Sequence, residues 1–103
     1  MKYRIKLLLT AQEDLKSIED WYLMNFDANT ALKVTDRILD AIQRLEDFPD
    51  SGSIPRDEWG RRQGFRFVII ERHIAIYRVI DGIVFIYHIA DTRTEYNRLF
   101  YEQ

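Results

Sequence analysis

The side chains best suited to chemistry are concentrated near the end of the chain, in the stretch YHIADTRTEYNRLF at residues 87–100. It contains one histidine, two acidic residues, two arginines and two tyrosines. Because imidazole has an ordinary pKa near 6.5, His88 is suited to proton transfer at neutral pH. Arginine binds phosphate or carboxylate through two parallel N–H groups. The stretch therefore predicts either acid–base chemistry at an anionic substrate or a purely local structural role.

The local role has a sequence signature of its own. Thr92 followed by Glu95 is a capping box, which predicts a short C-terminal helix that begins there. Asp91 would then lie near the positive end of that helix. Under this interpretation the acidic residues serve the helix, whereas Arg93, Tyr96 and Arg98 stay available for function.

The two histidines are interpreted from strand periodicity. His88 alternates with Val84 and Ile86, so it is a core or rim residue if that face of the strand is buried. His73 follows a predicted turn at Glu71-Arg72, and we expect it to be exposed. The pattern leaves open whether His88 is structural or functional.

A second group of positively charged side chains lies between residues 61 and 78. It consists of five arginines, accompanied by a single acidic residue, Glu71. They are suited to an anionic partner, or they are solvated outer positions of strands. These arginines are Arg61, Arg62, Arg66, Arg72 and Arg78.

The first half of the chain is predicted to form one strand and two helices. Apolar and charged residues alternate over residues 3–9, which predicts a half-buried strand. Thr10 and Glu13 form a capping box that starts a helix. The helical pattern breaks at residues 25–29, and a second helix then runs to Phe48-Pro49, since the residue before proline leaves the helical region. The apolar stripes lie at Ala11, Leu15, Ile18 and Tyr22, and at Ala31, Val34, Ile38, Ala41, Ile42 and Leu45.

The second half is predicted to form an antiparallel meander of three strands, GFRFVII, HIAIYRVI and GIVFIYHIA. Asp81-Gly82 suits a two-residue hairpin turn in which both residues take positive φ. The segment PDSGSIPRDEWG before the meander is predicted to be a loop. The expected fold class is α+β with the order β-α-α-β-β-β. The N-terminal strand and the meander form one sheet, which the helical hairpin covers, and a short C-terminal helix follows. Residues 1–103 are expected to form a single domain.

Composition excludes several classes of protein. The chain is 47% hydrophobic and 31% charged, as in a globular domain. It has no cysteine, which excludes disulfides and thiol catalysis, and its two distant histidines give no metal-ligand spacing. No cofactor motif, signal peptide or membrane-spanning run is present, so we expect a cytoplasmic protein without a cofactor. The net charge of −2 argues against general nucleic-acid binding.

The order of these elements, and four strings within them, resemble the RelE/ParE superfamily, the toxins of type II toxin–antitoxin systems, including those of the plasmid stabilisation type. The strings are AQEDL, RLEDFPDSG, IAIYRVIDG and IYHIADTR, which together span roughly residues 3–96. The resemblance implies the fold described above, a cognate antitoxin and a toxin–antitoxin hetero-oligomer. It also implies a target. ParE-like members inhibit DNA gyrase by binding, whereas RelE-like members cut mRNA on the ribosome without a metal.

Residues that match the RelE-like pattern bear on the choice between these targets. Arg66 lies near its cationic position on the first meander strand, Arg93 near its arginine after the last strand, and Tyr96 near its C-terminal tyrosine. Together with His88 they form the candidate catalytic set of a nuclease. However, Ile74 stands where the pattern has an arginine, and the second half of the chain contains no lysine. The resemblance therefore favours a ParE-like inhibitor that acts by binding, with an mRNA endonuclease as the alternative. A third possibility is an inactive or purely structural relative that still binds an antitoxin.

An antitoxin would neutralise exposed arginines with its own acids and would bury apolar anchors. The segment that follows Trp59 offers both, because its aromatic side chains lie beside arginines. The alternative is that Phe65 or Phe67 faces the helical hairpin instead. The expected contacts with the partner are Trp59, Arg61, Arg62, Phe65, Phe67 and Arg78.

Overall fold

Four strands form one sheet in the computed structural model, which describes residues 2–93. The strands are β1 (Arg4–Leu7), β2 (Arg66–Ile70), β3 (His73–Ile80) and β4 (Ile83–Asp91). Their order in the sheet is β1-β4-β3-β2, with β1 parallel to β4 and the β2–β3 and β3–β4 pairs antiparallel. The predicted meander is confirmed, and so is the position of the N-terminal strand in the same sheet.

Two long helices connect β1 to the meander and form the predicted hairpin, α1 (Leu9–Asn25) and α2 (Ala28–Gln43). Asp27 is the N-cap of α2, and its side chain accepts a hydrogen bond from the Thr30 N–H at 2.7 Å. A 3₁₀ turn at Arg44–Glu46 extends α2 before the proline-containing loop. Helix α1 packs against β4 and α2 against β2, so the hairpin covers one face of the sheet.

Both two-residue turns of the meander contain residues with positive φ. Asp81 has a φ of 51° and Gly82 a φ of 76°, as expected for the turn predicted between β3 and β4. Glu71 has a φ of 57°, so a residue with a side chain takes the left-handed region between β2 and β3. These tight turns set the register in which β3 pairs with both of its neighbours.

The sheet carries an apolar cluster on each face. Because side chains alternate along a strand, Ala75 and Tyr77 of β3 face the helices, whereas Ile74 and Ile76 face away from them. The helix-covered cluster contains Ala11, Ile38, Ile42, Leu45, Ala75, Tyr77, Val84, Ile86 and Ile89. The opposite cluster contains Phe65, Ile74 and Ile76, with Phe67, Tyr87 and Ala90 packed against it.

A β-bulge in β4 breaks the alternation that the sequence predicts for His88. Tyr87 is skipped in the pairing of β4 with β3, so it is the extra residue. Beyond the bulge Ile89, rather than His88, joins Val84 and Ile86 in the helix-covered cluster. The predicted grouping of His88 with Val84 and Ile86 is therefore wrong, because that prediction assumed an unbroken strand.

Helix α1 does not begin with the predicted capping box. Its N-cap is Leu8, which makes no side-chain cap hydrogen bond. The Thr10 hydroxyl instead donates to the Tyr87 carbonyl, which ties the first turn of α1 to the bulge of β4. Leu9, predicted as the last strand residue, is the first residue of the helix and is exposed.

The segment predicted as a loop contains a five-residue helix, α3 (Glu58–Arg62). The Asp57 side chain caps it by accepting a hydrogen bond from the Gly60 N–H at 2.8 Å. The predicted C-terminal helix, which would begin after Thr92, lies outside the described residues. Among residues 2–93, none of the helices is long and apolar enough to cross a membrane.

Candidate functional site

A loop at residues 49–53 is held against the sheet by two side chains, Arg66 and Tyr77, and we call this group the loop anchor. Arg66 of β2 and Tyr77 of β3 are opposite each other in the sheet. The Tyr77 hydroxyl donates to the Pro49 carbonyl at 2.8 Å and accepts from the Gly52 N–H at 3.0 Å. Burial raises the pKa of the Tyr77 hydroxyl, so it stays protonated and remains a donor.

The Arg66 guanidinium completes the loop anchor. Its Nη1 donates to the Asp50 carbonyl at 3.2 Å and to the Gly52 carbonyl at 3.1 Å. A Cβ added at Gly52 would lie 2.4 Å from the Tyr77 hydroxyl oxygen and 2.9 Å from the Phe67 carbonyl oxygen. Glycine is therefore required at the point where the loop meets the sheet, and Arg66 already binds backbone.

His88 is bound by an acid on α1 that sequence reasoning missed. Asp14 Oδ2 accepts from the Ile89 N–H at 2.9 Å and lies 3.0 Å from His88 Nδ1. Since β1 ends at Leu7, α1 continues along the edge of β4, and Asp14 satisfies a backbone N–H that β1 does not reach. The side chain of His88 is only 13% exposed, which places it at the rim of the core.

Arg93 lies just beyond β4 and is bound to Asp91. Its Nε and Nη2 donate to the two carboxylate oxygens at 3.0 and 2.7 Å, and its backbone N–H donates to Oδ1 at 2.8 Å. The side-chain hydrogen bonds from Arg93 hold the pKa of Asp91 at about 2, although burial of the carboxyl opposes the shift. The same contact raises the pKa of Arg93. The two residues form an ion pair at the end of the strand.

The candidate catalytic residues do not form one constellation. Arg66 is opposite Tyr77, whereas Arg93 follows the end of β4 that pairs with His73. Tyr77 and His73 are four positions apart on β3, which corresponds to about 13 Å along the strand. Arg66 and Arg93 therefore lie toward different ends of the sheet, and Tyr96 lies outside the described residues.

A cavity of about 260 Å³ opens between α1 and the strand ends where β3 begins and β4 finishes, and we call it the His73 pocket. His73 is only 5% exposed, so its predicted exposure at the turn is wrong. The ring of Tyr22 covers it, with the two ring centroids 6.2 Å apart. Residues that line the pocket include Ile18, Trp21, Tyr22, His73, Asp91 and Arg93.

Burial determines the protonation of His73. It lowers the pKa of the imidazole below 6.5 and outweighs the opposite effect of the carboxylates of Asp91 and Glu71. The imidazole is therefore neutral at neutral pH, in which form it has one N–H donor and one nitrogen acceptor.

The residues expected to contact a partner lie around α3, on the face of the sheet away from the helical hairpin. Phe65 is 1% exposed, so the expectation that it is an exposed contact is wrong. Trp59 stacks over it with ring centroids 6.2 Å apart, and the Arg78 guanidinium carbon lies 5.3 Å from the Phe65 centroid. Phe67 is half-buried in the same cluster, so neither phenylalanine faces the helical hairpin.

What remains accessible at this position is a basic surface with one aromatic side chain. Trp59 is 38% exposed, and Arg61 is exposed. Arg62 is also exposed and forms an ion pair with Glu58 at 2.6 Å, one helical turn away. We call Trp59, Arg61, Arg62 and Arg78 the α3 surface.

Sequence reasoning missed the His73 pocket because the bulge at Tyr87 shifts the register. Counted back from the Asp81-Gly82 turn without a bulge, His73 would lie opposite Ala90, but the observed partner is Asp91. No residue type in β4 indicates that a bulge shifts the register there. Within residues 2–93, no group of three or more histidine, aspartate or glutamate side chains is placed to hold a metal ion.

Comparison with known proteins identifies relatives of this arrangement. Residues 5–96 match the model of a protein family described as the ParE toxin of the type II toxin–antitoxin system parDE. A chromosomal ParDE toxin–antitoxin system from P. aeruginosa contains a similar chain, with a TM-score of 0.74 and 22% identity; the match covers 87% of this chain and 96% of that one. The toxin–antitoxin complex RelBE2 from Mycobacterium tuberculosis is also similar, with a TM-score of 0.65 and 18% identity over 88% of this chain and 99% of that one.

At these identities the two solved structures show the shared fold alone. The family match confirms the resemblance that the sequence strings indicate. No curated protein matches the sequence.

Proposed function

Because the chain belongs to the ParE toxin family of type II toxin–antitoxin systems, we propose that it is a single-domain toxin that inhibits a cellular target by binding it. The proposed target is DNA gyrase, and the proposed regulator is a cognate antitoxin. The candidate nuclease residues within residues 2–93 are Arg66, His88 and Arg93, and each of them is already bound to another group of the chain.

The observation that carries the proposal is that the candidate cations, Arg66 and Arg93, already bind other groups of the chain. Metal-independent cleavage of RNA needs cations free to stabilise a charged phosphorane, together with an acid and a base beside it. Arg66 is hydrogen-bonded to two backbone carbonyls, and Arg93 is paired with Asp91. Moving either cation to a substrate would break these contacts, so the arrangement favours binding over hydrolysis.

An antitoxin partner is supported by the solved relatives, which are described as a ParDE system and a RelBE2 toxin–antitoxin complex. The α3 surface is the proposed contact, because Arg61 and Arg62 are exposed beside Trp59. Acidic side chains of the antitoxin would neutralise the arginines while an apolar residue covers the indole ring. The proposed assembly is a toxin–antitoxin hetero-oligomer.

The target is tested by expression of the chain in growing bacteria, with DNA synthesis and protein synthesis followed by pulse labelling. We expect DNA synthesis to fall first, since a gyrase inhibitor stops replication while existing mRNA is still translated. An early loss of protein synthesis, together with mRNA cut within codons, would favour the mRNA endonuclease instead.

The antitoxin contact is tested with the double variant Arg61→Glu, Arg62→Glu, co-expressed with the product of the neighbouring reading frame. We expect growth inhibition to return, because the reversed charges repel the acids of the antitoxin. Lys33→Glu, an exposed charge reversal on α2, is the matched control and should stay neutralised. Equal neutralisation of all three proteins would place the antitoxin elsewhere on the chain.

A further inference from the structure

The imidazole of His73 is buried without a hydrogen-bond partner among residues 2–93. Buried polar groups are almost always hydrogen-bonded, so this exception needs an explanation. No side-chain nitrogen or oxygen of the described residues is both fully buried and unsatisfied. The ring nitrogens of His73 must therefore be reachable from the pocket that the ring lines.

The surroundings of His73 define the kind of group that would satisfy it. Ile18, Trp21 and Tyr22 of α1 give the pocket apolar and aromatic walls. The charges at its edge, Asp91 and Arg93, form an ion pair with each other. A matching ligand is therefore an uncharged aromatic ring that carries one N–H or O–H group. Indole and phenol, the side chains of tryptophan and tyrosine, have this character.

The size and the rim of the pocket favour a side chain of a protein over a free small molecule. A volume of about 260 Å³ lies below the range of about 300–1,000 Å³ typical of small-molecule sites. The aromatic wall also continues outside the cavity. Phe26 is 62% exposed, and its ring centroid lies 5.9 Å from that of Trp21 and 5.7 Å from that of Tyr22. A ligand confined to the cavity would leave Phe26 in water, whereas a polypeptide partner would cover it.

We propose that the His73 pocket binds a tryptophan or tyrosine side chain of a protein partner, whose N–H or O–H group hydrogen-bonds to His73. Aromatic side chains seated in such pockets carry much of the binding energy of protein interfaces. The proposal rests on the proposed function to the extent that a toxin of this kind acts through protein partners. It adds a contact on the helical side of the sheet, away from the α3 surface.

The test uses the intact chain and N-acetyl-tryptophanamide, which mimics a tryptophan within a polypeptide. NMR follows the indole signal of Trp21 and the imidazole signals of His73. We expect both to shift on titration into the millimolar range, whereas the indole signal of Trp59 stays in place. The analogue methylated on the indole nitrogen should bind about tenfold more weakly, since it cannot donate a hydrogen bond to His73. Equal binding of the two compounds would overturn the proposal, and so would stronger binding of adenosine, which would indicate a nucleobase site.

Variants of the chain test whether the tryptophan analogue binds in the His73 pocket. His73→Phe and Trp21→Ala should each weaken binding at least about fivefold, while Phe48→Ala, which removes an exposed aromatic ring elsewhere, should leave it unchanged. If His73→Phe fails to fold, Trp21→Ala still decides the question, because Trp21 is 49% exposed and contributes little to the core. Unchanged binding in Trp21→Ala would contradict the proposal. The probe requires neither gyrase nor antitoxin, so this result is independent of the target assays.

Discussion

The loop anchor and the His73 pocket lie toward opposite ends of β3, and both combine an arginine with a tyrosine. They differ in how completely their polar groups are hydrogen-bonded. The Tyr77 hydroxyl both donates and accepts, and Arg66 binds two carbonyls. At the pocket, neither the His73 ring nor the Tyr22 hydroxyl is hydrogen-bonded within residues 2–93.

This difference indicates separate roles for similar residue types. Polar groups that are already satisfied by backbone hold the chain in place, and a ligand would have to break those contacts to use them. A polar group that lines a cavity without a partner gains a hydrogen bond when a ligand arrives. We therefore expect substitutions at the loop anchor to affect stability first, and substitutions at the His73 pocket to affect binding first.

The largest expected effect is at the loop anchor, in Gly52→Ala. The added Cβ would meet the Tyr77 hydroxyl and the Phe67 backbone, so the loop must move away from its hydrogen bonds. We expect a loss of about 3 kcal/mol in the free energy of unfolding, measured by urea denaturation. Gly64→Ala is the control, because its Cβ meets nothing within 4 Å and only the positive φ of 83° is unfavourable. A smaller loss in Gly52→Ala than in Gly64→Ala would contradict the role of the loop anchor.

A pair of tyrosine substitutions compares the two regions directly. Tyr77→Phe removes a hydroxyl that satisfies Pro49 and Gly52, and we expect it to cost about 2 kcal/mol. Tyr22→Phe removes a hydroxyl with no hydrogen bond in the described part of the chain, so its cost should stay below about 0.5 kcal/mol. Thermal and urea unfolding of both variants measure these costs. Equal losses would show that the two regions are not distinguished by hydrogen bonding.

The stability of the chain against unfolding should depend on pH through His73 of the pocket. Since burial lowers the pKa of His73 below 6.5, the unfolded chain binds more protons than the folded chain below that pH. Stability should therefore be constant just above pH 6.5 and fall as the pH drops below it. Urea unfolding at several pH values measures the slope, and His73→Asn should remove it. A wild-type slope that survives in His73→Asn would assign the effect to other groups.

The Asp91–Arg93 ion pair should affect the pH dependence of stability only at more acidic pH. The pKa of Asp91 is lowered from 3.8 to about 2, so its contribution is complete above pH 3.8 and disappears as the pH falls through about 2. We expect about 1 kcal/mol, less than the full shift implies, because the Arg93 side chain is 64% exposed and screened by water. Asp91→Asn should lose this acid dependence. Identical acid unfolding of the two proteins would contradict it.

The smallest effect on stability is expected for Arg93→Ala. The Arg93 side chain is exposed and its ion pair is screened by water, so the variant should unfold almost like the wild-type chain. If the edge of the His73 pocket takes part in function, growth inhibition should fall by much more than this change explains. Full toxicity of a normally folded Arg93→Ala protein would remove Arg93 from the site.

The parts of the fold that depend on local sequence were predictable. The helix stripes at positions such as Ala11 and Ile38, and the Asp81-Gly82 turn, follow from periodicity and from the φ values that a tight turn requires. Specific side-chain contacts between distant residues were not predictable. The bulge at Tyr87, whose carbonyl accepts a hydrogen bond from Thr10 of α1, shifts His88 away from the predicted face.

At the candidate site, the residue types could be predicted but their contacts could not. Arg66 and Arg93 were found as cations, but their partners could not be derived from residue type. The Arg66 contacts are backbone carbonyls 14 and 16 residues away, and the Tyr77 contacts are 25 and 28 residues away. Sequence patterns predict neither these partners nor the cavity that His73 lines. Burial of Phe65 was missed for the same reason, since distant residues such as Trp59 of α3 and Tyr87 of β4 pack against it.

The central claim is that this toxin inhibits by binding and not by cutting RNA. The most direct measurement is the supercoiling of relaxed plasmid DNA by purified DNA gyrase at increasing concentrations of the purified chain, alongside mRNA integrity on translating ribosomes. We predict that supercoiling is lost at concentrations of the chain that leave the mRNA intact. Normal supercoiling together with cleaved mRNA would contradict the claim.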